Sequence, residues 1–227
     1  MKYLILLSGK INSGKNLFAT YLEEYFRSKG LKVKQDLYAG DLKNYSVEDF
    51  RVLGEILKIQ AEKVKSSIAP YFSSKYGLPI GIQEHVNSLI DEFTFTKENF
   101  YEDKTDITRV LLQTYGTEIA RRRFDDQFWV KKMAERINND IKTNVVIITD
   151  VRFPNELEDI HEFIRDWRIV PIRIERNIPR QALIKEHASE TALDDYGFWE
   201  YIIDNNDTLE SLRDSADAVV RDILISD

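Results

Sequence analysis

The stretch Lys2-Tyr3-Leu4-Ile5-Leu6-Leu7-Ser8-Gly9-Lys10-Ile11-Asn12-Ser13-Gly14-Lys15-Asn16-Leu17-Phe18 changes its pattern twice. Residues 2–8 form an apolar run of the length of one buried strand. Residues 9–16 are polar and hold two glycines. From Leu17 onward apolar side chains recur at helical spacing, through Phe18, Tyr21, Leu22, Tyr25 and Phe26. Strand and helix therefore frame Gly9 to Lys15, which satisfies G-x-x-x-x-G-K. Glycines at the two ends let the backbone curl so that successive N–H groups point inward, and the positive end of the following helix adds to the field. The loop formed by Gly9, Ile11, Asn12, Ser13 and Gly14 is expected to cradle a polyphosphate, with Lys15 reaching the β- and γ-phosphates. Asn16 stands where the pattern has a Ser or Thr that ligates Mg²⁺. An amide oxygen also suits a hard cation, so Asn16 is a candidate Mg²⁺ ligand, with weaker affinity expected than for the hydroxyl.

Outward from this unit, Lys29-Gly30 stops the helix, and Leu31, Val33 and Leu37 alternate along a second strand ending near Tyr38. Helical periodicity then dominates, over 47–67, 83–92, 106–122 and 126–138, with loops at 73–81 and 94–104. Strands return at 145–149, 169–174 and 201–203. Pro154 suits the first turn of a helix running to Ile164, and Asp207-x-x-Glu210 reads as a capping box for a last helix to about Ile223. Short apolar strands separated by helices imply an α/β fold: a parallel sheet of about five strands with helices on both faces. The long helical stretch, about 46–140, reads as an insertion at one edge of a single domain spanning 1–227.

Composition narrows the function. The 227 residues contain no cysteine, which excludes disulfide framing, thiolate metal sites and a cysteine nucleophile, and points to the cytoplasm. The formal charge of -7 disfavours nucleic acid as a general partner. The apolar run at the N-terminus is too short for a secretory apolar region or a membrane span, so no membrane association is expected. The three histidines, His85, His161 and His187, show no metal-site spacing.

A second half of the site is legible further on. The apolar run 145–149 ends in Asp150, a carboxylate at the carboxyl edge of a parallel strand, where it could hold Mg²⁺ through water. Arg152 would face the same crevice. Arg176 and Arg180 flank Pro179 beyond the fourth strand, on a segment suited to close over phosphates, because a guanidinium fork matches phosphate oxygens. Arg121-Arg122-Arg123 ends the helix that carries Arg109 and Gln113. Cations are favoured at a helix C-terminus in any case, so that cluster reads equally well as structural.

Several strings together resemble the bacteriophage-type deoxynucleoside monophosphate kinase family. They are the phosphate loop, Tyr38-Ala39-Gly40-Asp41-Leu42-Lys43, the run from Arg109 to Glu118, Asp150-Val151-Arg152-Phe153-Pro154-Asn155-Glu156, His187-Ala188-Ser189-Glu190, and Asp204-Asn205-Asn206-Asp207-Thr208-Leu209. The resemblance implies a P-loop kinase-type fold similar to adenylate and guanylate kinases, with transfer of the γ-phosphoryl group of ATP to a deoxynucleoside monophosphate. It further implies acceptor contacts from Arg109, Gln113, Arg121 or Arg122, with Asp41, Lys43 and Glu156 nearby. A lid at about 176–195 would include Arg180, His187, Ser189 and Glu190, with Asn205 and Thr208 by the ATP base. The family also suggests a homodimer.

The reaction class has independent chemical support. The acceptor phosphate has a second pKa of about 6, so it is largely a dianion at neutral pH and requires no general base. The site must supply cations, a role that Lys15, Mg²⁺, Arg152 and Arg176 fit. Two alternatives stay open on sequence alone. One is a kinase of a hydroxyl acceptor, a nucleoside or a modified base in DNA, with Asp41 as base. The other is a nucleotide-binding protein without turnover, on account of Asn16.

Overall fold

The computed structural model describes residues 1–43, 112, 116–117, 120–121, 125–177 and 188–226. The helices expected at 47–67 and 83–92, and site residues Arg109, Gln113, Arg122, Arg180, His187 and the side chain of Glu190, lie outside the described residues. The chain divides into two compact units. One comprises Met1–Asp41, Glu118–Arg180 and Glu186–Asp227; the other comprises Leu42–Thr117 and Gln181–Lys185. The expected insertion at 46–140 thus straddles the two, because 118–140 packs with the sheet-bearing unit. Lys43 belongs to the second unit.

The first unit holds five strands, β1 Lys2–Ser8, β2 Val33–Asp36, β3 Val145–Ile148, β4 Trp167–Glu175 and β5 Tyr201–Asp204, in the order β2-β3-β1-β4-β5. Every pairing is parallel. Parallel neighbours need crossovers, and helical segments lie in them: α1 Lys15–Ser28, α2 Phe128–Asn139, the short α3 Asn155–Glu158 and α4 Ile160–Phe163, and α5 Ala188–Thr191; α6 Leu209–Ile225 follows the last strand. The helix expected from Pro154 to Ile164 is two separate turns.

Alternation along β1 explains the layering, since successive side chains point to opposite faces. Tyr3, Ile5 and Leu7 join Val145, Ile147, Val170 and Ile172 in one core with Phe18, Leu22 and Phe26 of α1 and Leu212, Ala216, Val220 and Ile223 of α6. Leu4, Leu6, Val146 and Ile148 face the other way and are equally buried, as are Trp129, Val130, Met133 and Ile137 of α2 and Leu157 and Ile160 beyond β3. A sheet covered on both faces accounts for the continuous apolar runs of the central strands β1 and β3. Fully burying one such side chain contributes about 1.5–3 kcal/mol, so strands and the helices packed on both faces share the stabilisation of this unit.

Gly30, at φ +80, closes α1, since its N–H donates to the Arg27 carbonyl at 2.9 Å. The start of α6 corrects the capping-box reading. Thr208, not Asp207, is the cap: its backbone is extended and its hydroxyl accepts from the Ser211 N–H at 3.1 Å. No described helix is long and apolar enough to cross a membrane.

Strand order reverses at β1, with β3 on one side and β4 on the other. In open parallel sheets a crevice forms outside the carboxyl ends of the strands at such a point. The residue that follows β1 is Gly9.

Candidate active site

Gly9 has φ +152 and Gly14 φ +96, with Asn12 at φ +62 between them. A Cβ on Gly9 would lie 2.5 Å from the Ile174 carbonyl oxygen and 2.6 Å from Ser13 Oγ. A Cβ on Gly14 would lie 2.3 Å from Asn205 Nδ2. Both positions therefore exclude a side chain by space as well as by dihedral. The Ser13 N–H donates to the Lys10 carbonyl at 3.1 Å and closes the turn. Asn205, at the end of β5 and buried, donates from its amide to the Ser13 carbonyl at 2.8 Å and braces the loop from behind. Gly14 brings no capping side chain to α1, so the first-turn amides are left to another acceptor. Lys15 arches back over the loop, where its Nζ donates to the carbonyls of Gly9 at 2.6 Å and Lys10 at 2.7 Å. The hydroxyl of Ser13 is buried and has no hydrogen-bond partner. A concave backbone, an uncapped helix start, a lysine and an orphan donor together fit a polyphosphate.

Beside the loop, Ser8, Gly9 and Lys10 share a small crevice with Val151, Arg152, Arg173, Ser189 and Leu193. Arg173 lies opposite Ser8 in the β1–β4 register. Its guanidinium is buried, donates to Ser8 Oγ at 3.1 Å, and lies 5.8 Å from the centre of the Trp199 ring. Asp194 pairs with Lys10 at 2.6 Å and with Arg173 at 3.5 Å. Arg152 donates to the Ser189 carbonyl at 3.3 Å. Three cations thus line one crevice at the carboxyl edge of β1, two of them paired with the Asp194 carboxylate. Arg176 is exposed just beyond β4, and Asn16 is exposed in the first turn of α1.

On the β3 side, Asp150 accepts from the N–H groups of Tyr38 at 2.7 Å and Ala39 at 2.8 Å, one on each carboxylate oxygen. It ties the end of β3 to the helical turn at 38–43. The amide oxygen of Asn16 and the carboxylate of Asp150 are the kind of hard donors that Mg²⁺ takes. Asp41 is engaged by Arg136, which also donates to Asp36 at 3.1 Å and to the Leu37 carbonyl at 2.7 Å. Among the described residues no cluster of three histidine or acidic side chains is placed to hold a metal by itself.

Glu156 is buried. One of its oxygens accepts from the N–H groups of Arg152 at 2.6 Å and Phe153 at 3.1 Å, and the other pairs with Arg121. Burial pushes the Glu156 carboxyl up to about 7, against the pull of Arg121. Tyr38, likewise buried, donates its hydroxyl to the Glu156 carbonyl at 2.9 Å, and burial raises its phenol well above the ordinary value.

The expected site residues therefore divide. Gly9, Ser13, Gly14 and Lys15 meet in one loop with Arg152 beside it. Asn205 is behind the loop, and the Thr208 hydroxyl is committed to its helix. Arg173 and Asp194 received no role from sequence; only the strand register that sets Ser8 against Arg173 exposes them.

A family model described as deoxynucleotide monophosphate kinase matches residues 48–216. A curated protein of Escherichia phage T5, deoxynucleoside-5'-monophosphate kinase, is 33% identical over 100 residues. That match covers 43% of this chain and 38% of the relative, so it spans well under half of the relative's length.

Proposed function

The chain belongs to the deoxynucleotide monophosphate kinase family, and on that premise we propose that it transfers the γ-phosphoryl group of ATP to a deoxynucleoside monophosphate, giving the diphosphate and ADP. The observation that carries this reading is the loop at Gly9 to Lys15, a backbone cradle with a buried unpartnered hydroxyl, set against Lys10, Arg152 and Arg173.

Two anions that repel each other must be held in line. The loop amides and the start of α1 bind the donor phosphates, and Lys15 exchanges its two carbonyl contacts for phosphate oxygens. Arg152 and Arg173 supply fixed positive charge beside them, so the charge of the transferring group is met without reorganising solvent. Asn16 and Asp150, the latter through water, are the residues that would hold Mg²⁺, which when bound neutralises phosphate charge. The acceptor is already largely a dianion, with a second pKa of about 6, and no residue has to remove a proton. This favours a phosphate acceptor over a hydroxyl acceptor, because Asp41, the carboxylate that would serve as base, is engaged by Arg136.

The test is ADP release measured with each of the four deoxynucleoside monophosphates, a nucleoside and DNA. Acceptor-dependent release with at least one monophosphate is expected. Turnover only on the nucleoside or DNA would support a hydroxyl kinase, and ATP binding without turnover on any acceptor a binding protein.

A further inference from the structure

The segment that leaves β3 makes a tight turn before α3, and a buried carboxylate holds that turn. The adjacent N–H groups of Arg152 and Phe153 both converge on one oxygen of Glu156, while Arg121 takes the other. Arg121 is fixed in turn: it donates to Asn155 Oδ1 at 3.0 Å and the Asp126 carbonyl at 3.1 Å, and its guanidinium lies 4.2 Å from the centre of the Phe153 ring. The side chains of Arg121 and Glu156 are only 5% and 4% exposed, which leaves neither a face for an acceptor nucleotide. Packed apolar side chains of similar volume stabilise a fold as well as a buried ion pair does, so the pair is better explained by orientation than by stability. What it orients is the backbone of Arg152, whose guanidinium reaches into the crevice beside Gly9 and Lys10.

Resting on the kinase reading above, we infer that Glu156 and Arg121 are positioning residues that act on phosphoryl transfer through Arg152, and do not contact the acceptor. The family resemblance implies instead an acceptor contact from Arg121 or Arg122, with Glu156 nearby. A carboxylate accepting two consecutive amides fixes the direction in which the Arg152 side chain leaves the turn, and a cation displaced by about 1 Å can cost on the order of 10²-fold in rate.

Glu156→Gln has one side-chain oxygen: facing the two amides it sets an N–H₂ against Arg121, and facing Arg121 it sets the N–H₂ against the two amides. Steady-state kinetics on the full chain should show kcat lowered about tenfold, with KM for the monophosphate changed less than about twofold, the pattern of a lost transition-state contact. Combined with Arg152→Ala, Glu156→Gln should add less than about a twofold further loss, because both act along one path. Amide exchange at Arg152 and Phe153 should quicken in Glu156→Gln, a readout that needs no turnover. Should that variant not fold, Arg121→Lys retains the charge but loses the fork, and should show the same kcat-selective loss.

A rise in acceptor KM with kcat intact, losses that multiply in the double variant, or unchanged exchange at the two amides would overturn the inference. A native protein without turnover on any monophosphate would instead overturn the kinase reading, and the exchange measurement would still judge the clamp.

Discussion

The turns that follow β1 and β3 leave paired strands at the same edge of the sheet, yet they are built in opposite ways. The turn after β1 is shaped by backbone: two glycines at positive φ, a turn closed by main-chain atoms, and a helix start without a capping side chain. The turn after β3 is shaped by buried side chains: Asp150 caps the turn at 38–43, and Glu156 collects two amides and a guanidinium. A backbone-built turn leaves its polar groups pointing outward for a ligand, whereas a side-chain-built turn uses its own polar groups to fix one outgoing residue. The first is therefore suited to binding and the second to aiming.

The largest expected effect tests the binding turn. Lys15→Ala should leave the fold intact, since Lys15 is half-buried on a surface loop and its contacts with the Gly9 and Lys10 carbonyls hold no core element in place, but lower turnover by on the order of 10²–10³. Near-normal kcat in a variant with an unchanged circular dichroism spectrum would remove Lys15 from the chemistry, and with it the contrast between the turns.

Next in size is Gly14→Ala. The new Cβ must adopt φ +96 and meets Asn205 Nδ2 at 2.3 Å, so urea unfolding should show a loss of about 1–3 kcal/mol. In an Asn205→Ala background the steric part disappears and the additional loss should shrink to the dihedral part. An equal loss in both backgrounds would mean that Asn205 does not brace the loop.

The smallest effect concerns the aiming turn. Folding raises Glu156 from its ordinary 4.5 to about 7, because burial penalises the anion more than Arg121 stabilises it, and Asp150 adds to the rise. Between those values the folded state binds more protons than the unfolded chain, so Glu156 contributes stability at low pH that is lost as pH rises towards 7. Thermal unfolding should therefore show a shallower fall across this window in Glu156→Gln than in the native chain. Parallel slopes would assign the pH dependence to other groups.

Legibility in the sequence follows the same division. The loop at Gly9 to Lys15 could be read because its requirements are local, and the glycine pattern lies between two segments whose periodicity differs. The central strands β1 and β3 were legible because they are buried on both faces and hence apolar along their length, whereas β2 and β5 are half-exposed and were read from alternation and short apolar runs. Glu156 belonged to a recognisable string, but nothing local distinguished a residue that touches substrate from one sealed beneath it. The cap of α6 was misread by one residue, since Asp207 and Thr208 are both capable caps and only the extended backbone at Thr208 chooses between them.

By itself the sequence determined the parallel α/β scheme and the phosphate loop, because burial periodicity and the steric freedom of glycine act within a few residues. Only the tertiary structure decided which charges meet. Arg121 finds Glu156 across 35 residues, Arg136 finds Asp36 across 100, and Lys10 finds Asp194 across 184. In a chain with 32 basic and 39 acidic residues many pairings are chemically acceptable, and strand order and register select among them because Coulomb attraction alone carries no address.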